Sequence, residues 1–226
     1  MKIVVNKPVL SEQQAQAEQL RQDWTKQGTL VVHLVSSPGT GKTSLLEATA
    51  RHWHGRYRIA VLVGDLATER DAERLSPLAP TQQLTTGGAC HLDIALIQQG
   101  WSKLPAHTYD FLFIENVGNL VCPASFDLGE HLRVVLLSVT EGDDKPGKYP
   151  KMFRTCQALV INKIDLLPHV PFFVEAATRD ALRIQPELTV LTLSAWKNIG
   201  IEAWCSFLES QRFQRVIPLA SSSSIS

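Results

Sequence analysis

A doubly wound α/β fold with a mostly parallel sheet follows from two features of the 226-residue sequence. Apolar runs recur along it, separated mostly by helix-length segments, and the first run enters a glycine-rich turn that opens a helix. Near-continuous apolar strands of this kind are covered on both faces, as in parallel sheets. Ser11 to about Gly28 is polar, rich in Gln and Glu, and ends at a glycine, which suits a helix with Ser11 as its N-cap. The runs LVVHLV, RIAVLVGD, YDFLFIEN, RVVLLSVTE, ALVINKID and LTVLTLSA then read as six strands, the last a weaker alternation. Sites in such sheets lie at the carboxyl ends of the strands. The expected division is an N-terminal helical segment over 1–28, one large α/β domain over 29–212, and a tail over 213–226. The tail ends in the low-complexity stretch SSSSIS and is expected to be disordered.

Composition narrows the function classes. With 44% hydrophobic and 19% charged residues, the chain suits one soluble domain. Lys+Arg and Asp+Glu both number 22, so net charge points to neither nucleic acid nor a membrane surface as partner. No apolar run of about 18 residues occurs and the N-terminus carries no signal-like apolar region, so a cytoplasmic location is expected. Four cysteines, at 90, 122, 156 and 205, are too few and too scattered for a disulfide scaffold. Thiols or metal ligands are expected instead, with Cys156 and Cys205, in apolar contexts, serving as packing residues.

The first strand runs into SSPGTGKTSLLEATA. The phosphate-binding loop pattern asks for glycine five residues before Gly41, and Ser36 stands there. The remaining residues supply what phosphates need. Pro38, Gly39, Thr40 and Gly41 form the turn, and its glycines let backbone amides converge on oxygens. Lys42 reaches the terminal phosphates, and Thr43, followed by Ser44, offers a magnesium ligand at a helix N-terminus.

Asn162, Lys163 and Asp165 in VINKID decide the base. The Asp165 carboxylate accepts from the guanine N1–H and 2-amino group, whereas adenine would face it with an acceptor, and Asn162 helps frame the base. Ser194 and Ala195, in LSAW after the next strand, suit contacts near guanine O6. Between these motifs, Glu115-Asn116-Val117-Gly118 stands where an Asp-x-x-Gly switch is found in many GTPases. Glu115 would serve magnesium through a water and the Gly118 amide would sense the γ-phosphate. Asp65 and Asp71 follow the second strand; one or both are expected to meet magnesium or the attacking water.

A second signal is GGACHLD, with Cys90 and His91 adjacent, and Cys122 four residues past Gly118. Thiolate and imidazole suit nickel or zinc, whereas magnesium takes oxygen. Three protein ligands leave a site open to a fourth from water, substrate or another subunit. Plain packing of buried cysteines is the alternative.

The stretches SSPGTGKTSLLE, GGACHLD, FIENVGNLVCPASFDLGE, VTEGDDKPGKYPKMF and NKIDLLP together resemble the HypB family of nickel-insertion GTPases, over roughly residues 28 to 205. The resemblance implies a P-loop NTPase fold of the SIMIBI type, Mg2+ and GTP or GDP as cofactors, and GTP hydrolysis in nickel–iron hydrogenase maturation. It implies that Cys90, His91 and Cys122 hold Ni2+ or Zn2+ at a homodimer interface, with Lys42, Asp65, Asp71 and Glu115 in the hydrolytic site and Thr43, Asp65 and Glu115 around magnesium. Expected partners are a nickel-binding accessory protein and the hydrogenase large-subunit precursor, with no nucleic acid or membrane. Lys145 and Lys148 are candidates for a cross-subunit role. The family's N-terminal Cys-rich or His-rich nickel site has no counterpart, since the first 28 residues hold neither Cys nor His. The base-side loop reads SAWKNIGIEAW, with Ile199 and Gly200 in it. Rival readings are a urease-accessory-like GTPase and a metal-independent regulatory GTPase.

Overall fold

The computed structural model describes residues 7–65 and 70–217. One parallel sheet holds β1 (Leu30–Ser36), β2 (Ile59–Asp65), β3 (Thr81–Thr85), β4 (Phe111–Glu115), β5 (Leu132–Ser138), β6 (Ala158–Asn162) and β7 (Thr189–Thr192). They stand in the order β3-β2-β4-β1-β5-β6-β7, every pairing parallel. The helices are α1 (Lys7–Lys26), α2 (Lys42–His52), α3 (Arg70–Leu75), α4 (Ile94–Lys103), α5 (Lys145–Lys148), α6 (Pro150–Arg154), α7 (Val174–Ile184) and α8 (Ile201–Arg215). Tight 3-10 turns lie at Cys122–Ser125 and Ile164–His169. Among the described residues, no helix is long and apolar enough to cross a membrane.

Six of the strands are the six apolar runs. The seventh, β3, reads TQQLT and carries no such pattern; it is a sheet edge in which only Leu84 is buried. An edge strand keeps one side toward water, so its composition is not held apolar.

Two boundaries differ from expectation. α1 starts at Lys7, so Ser11 lies inside the helix and is not its N-cap; Pro8 falls in the first turn, where a missing N–H removes no helical bond. The fold also runs past 212. α8 continues to Arg215, Val216 is buried, and the Arg212 guanidinium donates to Gly28 O at 2.9 Å and to Asp110 Oδ1 at 2.7 Å. The expected tail from 218 onward lies outside the described residues.

Alternation along the strands sorts the core into two layers. Leu30, Val32 and Leu34 of β1 face Leu45, Leu46 and Trp53 of α2 and Trp204 and Leu208 of α8. On the other face, Val31 joins Trp24 of α1 and Ile97 of α4, while Val35 joins Phe153 of α6 and Ala177 of α7. Trp53 stacks on Phe111 of β4 at 4.3 Å between ring centroids, and burying rings of that size contributes about 1.5–3 kcal/mol each. The strand order places β1 centrally, with β4 on one side and β5 on the other. The chain thus leaves β1 toward one edge and later returns past it to build the other. That reversal opens a crevice at the carboxyl ends of β1, β4 and β5.

Candidate functional site

The crevice is floored by the turn between β1 and α2. Gly39 and Gly41 hold φ of 73° and 99°, a left-handed region that costs side-chain-bearing residues. A Cβ on Gly41 would also come 2.6 Å from Asn162 Nδ2. Lys42 Nζ donates to Ser36 Oγ at 2.9 Å, and Ser36 Oγ donates to Ser37 O at 2.7 Å. The serine that replaces the pattern's glycine therefore holds the lysine over the loop. Thr40 Oγ1 lies 2.7 Å from Ser37 O and 2.9 Å from Glu141 Oε1. Ser44 is held from α3 by Arg74, at 3.2 Å.

Carboxylates surround the buried lysine. Burial pushes Lys42 below the ordinary lysine value, against the pull of Glu115, Asp71, Glu141 and Asp65. Glu115, at the end of β4, accepts from Thr43 Oγ1 at 2.8 Å through Oε1, while its buried Oε2 has no hydrogen-bond partner. Burial raises the Glu115 carboxyl to about 7, although Lys42 and Thr43 both draw it down. An orphaned carboxylate oxygen beside a threonine hydroxyl is an all-oxygen donor set, which suits magnesium. Asp65 closes β2, and Asp71 in α3 is paired with Arg74 at 3.4 Å.

The raised Glu115 value has a stability consequence. The folded protein keeps a proton that the unfolded chain loses above about 4.5, so stability falls as pH rises toward 7, and the cost is complete above 7. At ~1.4 kcal/mol per pKa unit, the cost is on the order of 3 kcal/mol. Glu115→Gln is expected to flatten this slope. Thermal melts of ligand-free protein from pH 5 to 8 should fall more steeply for the wild type, with magnesium restoring the wild type alone at pH 8; parallel curves would contradict the assignment.

The base side is built from β6 and the loop after β7. Asn162 Nδ2 donates to Thr40 O at 2.9 Å, and Oδ1 accepts from Lys163 N at 2.8 Å and Ala195 N at 3.1 Å. It therefore ties the phosphate loop to both base-side loops. Lys163 has φ of 64°, and its Nζ caps Gly39 O at 2.7 Å. Asp165 Oδ1 is buried without a hydrogen-bond partner. Ser194 Oγ accepts from Lys197 N at 3.1 Å, and Ser194 pairs with Ile199 in a short bridge that shapes the loop.

Gly118 joins this site to the cysteines. A Cβ there would lie 2.8 Å from Pro38 Cα, so only glycine lets the turn after β4 rest on the phosphate loop. The following Asn119 accepts from Val121 N at 2.7 Å and Cys122 N at 3.3 Å through Oδ1, and donates to Cys90 O at 3.4 Å. The sequence led to an expectation of thiols or ligands at 90 and 122. The structure brings these two cysteines together as a disulfide, their Cα atoms 6.2 Å apart, because the loops after β3 and β4 converge. His91 Nδ1 lies 3.8 Å from Cys90 Sγ, and its ring stacks on Phe126 at 3.8 Å. Among the described residues, no three His, Cys, Asp or Glu side chains form a group that could hold a metal ion. Cys156 and Cys205 are free and buried, and burial pushes both thiols up to about 12.

Two features escaped the sequence patterns. Glu141 clamps the loop through Thr40, and its buried Oε2 has no hydrogen-bond partner. A buried network of His33, Asn116, Glu130 and Arg133 lies behind the switch turn. Glu141 sits in VTEG without a periodic signal; of the network, only His33 interrupts an apolar run.

Residues 30–192 match the family described as CobW/HypB/UreG, nucleotide-binding domain. The hydrogenase maturation factor HypB of Rhizobium leguminosarum bv. viciae is 45% identical over 216 residues, covering 95% of this chain and 72% of that protein. Among solved structures, HypB from Helicobacter pylori in complex with nickel superposes with a TM-score of 0.86 at 37% identity, over 93% of this chain and 99% of that one. The signal recognition particle receptor FtsY of Elizabethkingia anophelis, in complex with GDP, shares the fold alone, with a TM-score of 0.52 at 12% identity over 78% of this chain and 65% of that one. With a P-loop GTPase fold, an intact lysine–threonine phosphate loop and an N-K-x-D base loop, the chain belongs to the HypB group of the CobW/HypB/UreG family.

Proposed function

We propose that this protein hydrolyses GTP to GDP and phosphate and uses that cycle to hold and release nickel during nickel–iron hydrogenase maturation. The observation that carries this is the pair of carboxylate oxygens buried without hydrogen-bond partners at the two ends of the crevice, Asp165 Oδ1 on the base side and Glu115 Oε2 beside Thr43. Buried acceptors without donors cost about 1–3 kcal/mol each, so they mark where a ligand supplies the missing partner. A guanine base satisfies the first. Thr43 and Glu115, with Asp65 from the end of β2, would hold magnesium at the second, and the ion would supply charge neutralisation for the β- and γ-phosphates. Lys42 leaves Ser36 for those oxygens, and Asp65 or Asp71 orients the attacking water. The Gly118 amide, resting on Pro38, reads whether a γ-phosphate is present.

Nickel is cargo in this scheme, and zinc its competitor. Cys90, His91 and Cys122 take the metal once the disulfide is reduced, because thiolate and not disulfide sulfur is the ligand. A reducing cytoplasm would keep the pair open. Three ligands leave room for a fourth, which a homodimer partner, the nickel-binding accessory protein or the hydrogenase large-subunit precursor could supply. Within one chain Lys145 stands 3.9 Å from Glu141 and Lys148 pairs with Asp144, so a role across the dimer would require them to exchange these partners.

Equilibrium dialysis with nickel tests the scheme. Reduced wild type should bind, while the oxidised form and Cys122→Ala should bind on the order of 100-fold more weakly. Light scattering on the same samples with a GTP analogue should give twice the chain mass. Equal nickel affinity in wild type and Cys122→Ala would favour a metal-independent regulatory GTPase instead.

A further inference from the structure

His33 is wholly buried in β1, a strand otherwise apolar until Ser36. Its Nε2 lies 2.8 Å from Asn116 Nδ2 and its Nδ1 3.1 Å from Glu130 Oε1. The other end of Asn116 sets the proton positions. Oδ1 accepts from Val117 N at 2.9 Å and from Leu92 N at 3.4 Å, so Nδ2 is the donor toward His33. His33 therefore accepts at Nε2 and donates from Nδ1 to Glu130, as a neutral imidazole. Burial favours the same state, holding His33 below its ordinary value against the pull of Glu130.

The chain continues beyond Glu130. Its Oε1 accepts from Arg133 Nε at 2.7 Å, and Arg133 Nη2 donates to Phe126 O at 2.6 Å. The Phe126 ring is the one stacked on His91. Asn116 stands between Glu115 and the Gly118 turn on the phosphate loop, so one end of the network touches the nucleotide switch. Its other end lies under the Cys-His loop, which Asn116 also reaches directly at Leu92. Apolar residues at all four positions together would pack without polar cost, and a buried ionic network is weak evidence for stability. What such a network does supply is a single satisfied arrangement. Moving Asn116 orphans a buried group unless the next member moves with it.

We propose that His33, Glu130 and Arg133 are positioning residues that transmit the state of the Gly118 switch to the Cys90–His91–Cys122 corner, through Asn116 at one end and Phe126 at the other. This rests on the function proposed above, in which nucleotide and nickel affinities are coupled. His33→Gln, which cannot reach both neighbours, and Arg133→Lys, which loses the fork that spans Glu130 and Phe126, break the relay at two points. The full-length, reduced chain is used, with nickel affinity measured in GDP and GTP-analogue states. A metal-free readout, the alkylation rate of Cys122 in the same two states, accompanies it.

In the wild type, the two states should differ at least about fivefold in nickel affinity, the lower end of ordinary coupling. Both variants should bring that ratio to within about twofold and equalise the alkylation rates, while GDP affinity changes less than about threefold. If the variants weaken nickel equally in both states and keep the wild-type ratio, the residues are merely structural and the relay is overturned, with the proposed function intact. A wild type that itself shows equal affinities would overturn both. Should either variant fail to fold, Phe126→Leu cuts the same path at its far end with the buried charges left in place, and a retained ratio there is equally fatal.

Discussion

Asp165→Asn is expected to lower the affinity for GTP at least 100-fold while conferring use of xanthosine triphosphate. Asp165 Oδ1 is buried without a hydrogen-bond partner, and with guanine bound a carboxylate there would accept two charge-assisted hydrogen bonds, from the N1–H and the 2-amino group. Such bonds contribute about 1.5–3 kcal/mol each, so losing the match costs roughly two orders of magnitude or more. An asparagine presents one acceptor and one donor. That pair complements a base that keeps N1–H but carries a carbonyl at C2, so xanthine should recover much of the loss. The loop need not move for this, because Asn162 and the left-handed Lys163 set its path. Steady-state hydrolysis with GTP, ATP and xanthosine triphosphate decides the matter. A wild type that uses ATP as well as GTP would end the guanine assignment, and an unchanged GTP affinity in the variant would remove Asp165 from the base site.

Lys42→Ala should reduce kcat for GTP by about 10²–10³-fold, the usual cost of removing one preorganised charge from a developing transition state. The side chain is 7% exposed and held by Ser36 Oγ, among four acidic groups. Lys163, a second ammonium at the phosphate loop, has its Nζ committed to Gly39 O. Removing the ammonium also leaves Glu115 without the neighbour that most lowers its pKa, so the variant should bind magnesium no better in compensation. Folding is checked by far-ultraviolet circular dichroism and by GDP binding. Full turnover in a folded variant would show that the lysine is not aimed at the phosphates.

The candidate site residues that share a short stretch of chain are visible in the sequence itself. Gly39, Gly41, Lys42 and Thr43 share one turn, as do Asn162, Lys163 and Asp165, and turn chemistry links residue type to backbone shape over a few residues. Six strands were legible because strands covered on both faces must be apolar. β3 was not, because an edge strand lies under no such demand and TQQLT is mostly polar. The start of α1 was misplaced because its first residues carry neither a recognisable cap nor an apolar stripe. The end of the folded chain was misplaced because Arg212 is tied to Gly28 and Asp110, contacts that no local pattern announces.

The sequence by itself determined the fold class and the family, and it marked the glycine-rich turn, the NKID turn and Cys90, His91 and Cys122 as candidates, all from neighbouring residues and periodicity. Only the tertiary structure decided that Ser36 holds Lys42, that Glu141 clamps Thr40 from 101 positions away, and that Cys90 and Cys122 meet as a bonded pair. It alone showed that His33, Asn116, Glu130 and Arg133 converge behind the switch, across separations of 83 and 97 residues for the two bonds to His33. The reason is physical: hydrogen bonds and buried charges are set by distance in space, and a parallel sheet brings the ends of β1, β4 and β5 together regardless of how much chain lies between them.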